Sequence, residues 1–346
     1  MYIAEFLLHN MTTTKENAWI EVRLYYEEPW EEFLIKIIKP YCDTVLGSGA
    51  AERYFYIRYW ERGPHIRLRF YGKKQTLEDI LKPNSQGHFL NFFDRKPSHR
   101  DEPNYPKNVA PEAVWQANNS VQFVDYEPEI ARYGGKYGLE IVEKHFFNSS
   151  KTVLESMSKI GLKNWSYEQA LGIAIKLHLS FVHAAGFDIF TAKNFFKEVF
   201  YHWLPLSIQR ERITQAQQSQ QNETIINTFE QAFLEQEESL VSYHAAFWGV
   251  LAEDEGFDED YLNEWYALCR FTRQEFMLAD AQSLLDTRPT KYQIDFQTKM
   301  EESDYLLWEI YSDFFHLTNN RLGILNRDES YLAYLMMRSM ENLVAE

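Results

Sequence analysis

The spacing of apolar residues changes character once along this chain, and that change limits its fold more than any other feature. In the first third the period is two. Residues 19–26 set Ile20, Val22 and Leu24 on one face and Glu21, Arg23 and Tyr25 on the other. Residues 54–60 are aromatic and β-rich, and residues 65–71 alternate Ile66, Leu68 and Phe70 with His65, Arg67 and Arg69. Gly63-Pro64 lies between these two runs and predicts a hairpin through 61–64. Phe33, Ile37 and Ile38 predict a helix over 30–45, and a fourth strand is expected over 121–126. From Gly135 onward the period is helical, with helices predicted over 137–157, 166–185, 192–219, 224–248, 258–285, 303–318 and 330–344. The pattern therefore predicts an α+β fold: a small, mostly antiparallel sheet region (about 1–130) packed on a larger helical region (about 131–346), the two forming a single domain of 1–346.

Residues 83–111 interrupt this order. They hold Pro83, Pro97, Pro103, Pro106 and Pro111, five of the eleven prolines, and read as a long loop because proline removes backbone donors and blocks helix. Residues 215–221 are rich in glutamine and read as a solvated helix end or a linker. No fixed-period repeat is present.

Charge narrows the function. Lys and Arg number 35 against 51 Asp and Glu, a net −16, so the surface is unsuited to nonspecific binding of nucleic acid or anionic membrane. No stretch is apolar enough for a membrane span, and the N-terminus lacks a signal-peptide pattern. Cys42 and Cys269 are far apart and form no paired motif, which fits a cytoplasmic protein without a disulfide framework. HExxH, Walker, GxGxxG and GxSxG patterns are absent, so no metal and no cofactor is expected. Aromatics at 16% fit either a peptide-binding surface or a bulky core.

Three clusters carry candidate chemistry. Residues 53–74 contain seven Lys and Arg and one acid, a local +6 that leaves −22 on the rest of the chain. Strand alternation puts Arg67 and Arg69 on one face, and Arg58 and Arg23 join them if the neighbouring strands pair in matching register. Such a face is either a solvated outer surface or an anion pocket, since arginine binds carboxylates bidentately. The second cluster, Tyr126-Glu127-Pro128-Glu129-Ile130-Ala131-Arg132-Tyr133-Gly134-Gly135, is a rigid turn opening a helix. It reads as a structural Glu129–Arg132 pair or as an anion-favouring helix start. The third is His316, in Phe315-His316-Leu317-Thr318-Asn319-Asn320-Arg321-Leu322-Gly323, with Asp313 and Asn320 at helical spacings from it. It reads as a capping or core residue, or as a proton-transfer group.

In their order along the chain, these motifs resemble the thiopeptide-type bacteriocin biosynthesis family, which corresponds to the elimination domain of class I lanthipeptide dehydratases. The resemblance runs from about Trp19 to the C-terminus, nearly the whole chain. It implies a lanthipeptide dehydratase elimination-domain-like fold and removal of glutamate from glutamylated Ser or Thr of a precursor peptide, giving dehydroalanine or dehydrobutyrine. It further implies an active site with Arg67 and Arg69, with Glu129 and Arg132 on its other wall and His316 as the catalytic histidine. Arg58, Arg23, Tyr133 and Asn320 are the expected substrate-binding residues. The implied partners are the precursor peptide and a separate glutamyl-tRNA-dependent glutamylating subunit, this chain being a stand-alone eliminating subunit; a homodimer is also compatible. The same fold hosts thiopeptide pyridine synthases, which join two dehydroalanines in a formal [4+2] cycloaddition and release the leader peptide. The joint presence of Arg67, Arg69, Glu129, Arg132 and His316 favours elimination over that alternative, and over a non-catalytic peptide scaffold.

Overall fold

The structure, a computed structural model, describes residues 17–106, 108–204, 215–286 and 302–345. These fall into two compact units. One holds the residues up to Pro128 with Met157–Lys163, the other Glu129–Ser156 with the residues from Asn164 on.

The first unit is built on an antiparallel sheet of β1 (Asn17–Tyr25), β2 (Arg53–Tyr59), β3 (His65–Lys73) and β4 (Ser120–Val124), in the order β2-β3-β1-β4. Strands form in all four stretches where the sequence predicts them, β4 ending two residues before the expected 126. The predicted hairpin joins β2 to β3 through Arg62 and Gly63, both with positive φ. A side chain at Gly63 would place its Cβ 2.8 Å from Nη1 of Arg100, so only glycine fits this corner. On one sheet face Ile20, Val22, Leu24, Tyr54, Tyr56, Ile66, Leu68 and Phe70 are at most 8% exposed. Burial of each such side chain contributes roughly 1.5–3 kcal/mol, which makes this layer the main stabilising element of the unit.

That face is covered by two helices, α1 (31–47) and α2 (74–95), which bring in Phe33, Leu34, Ile38, Leu77, Leu81 and Phe89. Tyr41 of α1 meets Phe70 edge-on at 6.1 Å. Helix α2 corrects the expectation of a loop over 83–111: its final segment, Lys82–Arg95, is 14 residues long and carries Pro83 at its second position. The reason is local. Both helices carry a wide π turn, Leu34–Ile38 and Leu77–Leu81, immediately before Lys39-Pro40 and Lys82-Pro83. The N–H after each turn reaches back five residues, Lys39 to Leu34 and Lys82 to Leu77. The wider turn gives the proline ring the space it lacks in a regular α-helix and absorbs the missing donor. Irregular chain then runs to β4, pinned by Ser98, whose backbone N–H and carbonyl both bond Asn119, and by Arg100, which donates to Glu102 and to the Gln116 carbonyl.

The second unit is helical: α3 (Gly135–Ile160), α4 (Tyr167–Ala184), α5 (Ile189–Trp203), α6 (Gln215–Leu234), α7 (Glu237–Glu253), α8 (Asp260–Ala281), α9 (Glu302–Leu322) and α10 (Asn326–Ala345). Ser166 and Asp188 cap α4 and α5 by accepting the N–H groups of Gln169 and Thr191. The helix predicted over 224–248 is two helices, broken where Gln236 N–H turns back to the Phe233 carbonyl. Residues 215–221 are the first turns of α6 rather than a linker. Of the helix predicted over 192–219, residues 205–214 lie outside the described residues. The core is aromatic: Phe181, Trp265, Phe276, Tyr311 and Phe314 are at most 5% exposed. Trp265 ties α8 to α4 by donating to the Leu177 carbonyl at 2.9 Å.

Candidate functional site

Each unit carries one cluster of chemistry-bearing side chains. In the first unit, the pairing of β1 with β3 sets Arg23 opposite Arg67 and Glu21 opposite Arg69. All four emerge on the sheet face away from α1 and α2. Glu21 is only 2% exposed. Arg23 Nε donates to its Oε1 at 2.6 Å and Arg69 Nε to its Oε2 at 2.6 Å, while Arg67 Nε stands 3.9 Å from Oε1. One carboxylate faces three guanidinium groups, so the cluster keeps an excess of positive charge. Burial alone would raise the Glu21 carboxyl; the Arg69 charge and the hydrogen bonds from Arg23 and Arg69 reverse this and hold it below its ordinary range.

Arg67 is held differently. Its guanidinium carbon lies 3.4 Å from the centre of the Tyr59 ring, and its Nε donates to His65 Nε2 at 3.3 Å. His65 is fully buried and its Nδ1 faces the Gly63 carbonyl at 2.7 Å; burial, with Arg67 and Arg23 close by, pushes it down to about 4, so it stays neutral and accepts. Burial and the facing Arg23 charge also lower Arg67 itself. Arg69 sits over Phe55 and Tyr126 at 5.1 and 4.9 Å. Among the described residues, the terminal nitrogens of Arg67 and Arg69 make no hydrogen bond. Their Nε edges are occupied and their forks are available, which is the geometry a carboxylate ligand requires.

The register removes Arg58 from this group. It lies opposite Ile66, on the face buried by the helices, and pairs with Glu31 at 2.8 Å at 3% exposure. Arg23 is where the sequence places it. Glu21 was legible as a neighbour of Arg23 on the polar face of β1; its place under three arginines depends on register.

In the second unit, His316 lies on α9, with its side chain 25% exposed. Its Nδ1 is 2.9 and 3.1 Å from the two carboxylate oxygens of Glu329, which is fully buried in the first turn of α10. Trp203, at the end of α5, stacks on the imidazole at 4.3 Å and 20°. Burial works against the protonated imidazole, but the charge and hydrogen bond of Glu329 outweigh it, and His316 is raised above its ordinary value. Among the described residues its Nε2 has no hydrogen-bond partner. A histidine pinned through Nδ1 by a buried carboxylate, with Nε2 free, is the arrangement of a general acid–base.

Sequence spacing offered Asp313 and Asn320 as the groups that orient His316, and the structure corrects this. Asp313 binds Arg132 instead, accepting from Nε at 2.6 Å and Nη2 at 2.5 Å. Arg132 keeps a longer contact of 3.6 Å to the exposed Glu129. The Glu129–Arg132 pair thus exists, subordinate to Asp313. Tyr133 is 5% exposed and packs edge-on against Phe146. Asn320 is half-buried, one turn after His316. Gly134 and Gly135 both take positive φ, and the Gly135 N–H is bonded to the Ile130 carbonyl at 2.9 Å rather than left for an anion. Glu329 and Trp203 escaped the sequence reading because they come from other helices. The signal that existed was the expected helix end at Gly323, which folds α10 back onto α9.

Among the described residues no three His, Cys, Asp or Glu side chains gather as metal ligands, and no helix is long and apolar enough to cross a membrane. Cys42 and Cys269 are buried and unpaired.

Comparison with known proteins sets the chain among relatives in sequence and in fold. In sequence, the chain is 31% identical over 135 residues to the subtilin biosynthesis protein SpaB of Bacillus subtilis, a match covering 39% of this chain and 11% of that much longer protein. In structure, it resembles the pyridine synthase TbtD from thiomuracin biosynthesis (TM-score 0.68, 13% identity, 95% of this chain and 99% of that one). It also resembles TsrL (TM-score 0.65, 16% identity, 95% and 96%). A third likeness is to the tRNA-dependent lantibiotic dehydratase MibB from Microbispora sp. 107891 (TM-score 0.59, 15% identity, 95% of this chain and 28% of that one). At these identities the structural likenesses establish the fold alone. The family model described as lantibiotic biosynthesis dehydratase, C-terminal, matches residues 19–340, and the chain belongs to that family.

Proposed function

We propose that this protein eliminates glutamate from glutamylated Ser or Thr residues of a ribosomally made precursor peptide, leaving dehydroalanine or dehydrobutyrine. The observation that carries this reading is the arginine face, where Arg67 and Arg69 keep their forks open beside a carboxylate that already organises them. A glutamyl ester brings a free carboxylate that suits such a face. A cycloaddition between two dehydroalanines brings none.

The chemistry divides between groups of known character. His316 Nε2 takes the α-proton of the esterified residue, and Glu329 stabilises the imidazolium that forms. The Cα–H electron pair becomes the Cα–Cβ double bond, and the Cβ–O bond breaks with its pair leaving on the glutamate carboxylate. Arg67 and Arg69 hold the glutamyl carboxylate. Arg132 is committed to Asp313 and contributes a fixed positive charge next to His316. Glutamylation is a preceding tRNA-dependent step, and elimination itself involves no nucleic acid, which suits an acidic surface.

The test uses purified protein and a glutamylated precursor peptide followed by mass. Conversion to dehydrated peptide is expected. Loss of one charge-assisted contact in Arg67→Ala costs about 1.5–3 kcal/mol, or about 10- to 150-fold in kcat/KM. His316→Ala should leave the glutamyl ester in place. A second reading, cycloaddition, is favoured by the 99% coverage of TbtD. A ring product from a peptide bearing two dehydroalanines, with no turnover of the glutamylated peptide, would replace the first reading with this one.

A further inference from the structure

We infer that Glu329 is a positioning residue for His316, and that a buried line of side chains, Glu329, Asn319 and His178, fixes the imidazole with Nδ1 as its bonded nitrogen and Nε2 as its working one. The inference deepens the proposed elimination and rests on His316 being its proton-transfer group.

The line begins at His178 on α4. It is 2% exposed, stacked on Phe315 at 3.9 Å and 20°, and held neutral by burial, which pushes it to about 4. Its Nε2 lies 2.8 Å from Asn319 Oδ1. A neutral imidazole facing an amide oxygen must donate, so Nε2 carries the hydrogen. This pins the Asn319 amide, itself fully buried, with its Nδ2 turned to Glu329 Oε2 at 3.5 Å. Glu329 therefore meets donors on both sides and serves as an acceptor. Its place in the first turn of α10 favours the ionised form, against the burial that raises it. With both oxygens turned to Nδ1, the neutral His316 must protonate there and leave the Nε2 lone pair outward. Trp203 covers one ring face and limits rotation. Among the described residues, the other charged or titratable groups around His316 are Asp313 on its own helix, Arg132 from the turn before α3, and His202 from α5. Arg132 opposes the protonated form and Asp313 supports it, so Glu329 is the carboxylate that both touches and orients the ring.

The experiment is a 15N-imidazole NMR titration of His316 in the wild type and in Glu329→Gln, with pH profiles of glutamate elimination for both. The wild type should show the Nδ1-protonated tautomer and a midpoint above 6.5. Glu329→Gln keeps an acceptor and the volume but removes the charge, so the midpoint should fall by about one unit or more. The ascending limb of kcat should move with it, with kcat down about tenfold or more and KM little changed. Asn319→Ala should shift the midpoint in the same direction by less. A purely packing role for Glu329 would move neither midpoint nor limb. An Nε2-protonated tautomer in the wild type, or an unchanged His316 midpoint in Glu329→Gln, overturns the inference. If the midpoint shifts while the wild type eliminates no glutamate, the positioning stands and the elimination reading falls.

Discussion

At the scale of single residues, the arginines separate by face rather than by number. Arg58 and Arg67 sit one row apart on neighbouring strands, yet one bonds Glu31 within the buried layer and the other lies on the Tyr59 ring with its fork free. Their alanine variants should therefore fail differently. Arg58→Ala empties a buried position and leaves Glu31, itself 25% exposed, without its partner; it should cost about 1.5–3 kcal/mol of stability, with kcat/KM per folded molecule preserved. Arg67→Ala should keep its urea midpoint much closer to wild type and lose elimination. A urea titration beside steady-state kinetics separates the two, and equal loss of activity in both would contradict the assignment of faces. The sequence showed that Arg67 and Arg69 share a side, because alternation has period two and needs no partner strand. It left Arg58 open, because its side depends on which residue faces it across the ladder.

At the scale of elements, the legible parts were those written in local periodicity. Strands β1 and β3 and the helical second half follow from it, and β2 from its aromatic, β-rich run. The helix over 82–95 did not, because proline count argued for a loop while a π turn upstream made room for Pro83. The His316–Glu329 contact was illegible for another reason: it joins successive helices across the Gly323 turn, and its partner is set by packing rather than spacing. The start of α3 gives an element-scale prediction. At Gly138 a Cβ would collide with the Tyr133 carbonyl, on the segment that carries Arg132. Gly→Ala inside a helix ordinarily gains about 0.5–1 kcal/mol. Gly138→Ala should instead lower the melting temperature and weaken elimination through the displaced Arg132–Asp313 pair. A variant more stable than wild type would show that the two backbones do not approach this closely.

At the scale of the whole molecule, buried neutral histidines set its response to acid. His65, His178 and His244 are at most 2% exposed, and burial pushes each to about 4 from an ordinary 6.5. Between those values the unfolded chain takes up protons that the folded chain refuses. Stability is therefore full above about pH 6.5 and declines as pH falls toward 4, by up to about 3 kcal/mol per histidine. Urea midpoints at pH 7 and pH 5 should differ clearly, and a flat profile would mean that these rings are charged or solvated in the fold. The charge asymmetry of the sequence has its counterpart here: a locally basic sheet face in a chain of net −16 suits an anionic group on a peptide better than an extended polyanion. The most direct test of elimination is the stoichiometry of its products. With a precursor peptide labelled in its glutamyl group, the purified protein should release one free labelled glutamate for each dehydrated residue formed. Dehydrated product without matching glutamate, or a glutamyl ester that survives intact on a peptide the protein binds, would contradict the account.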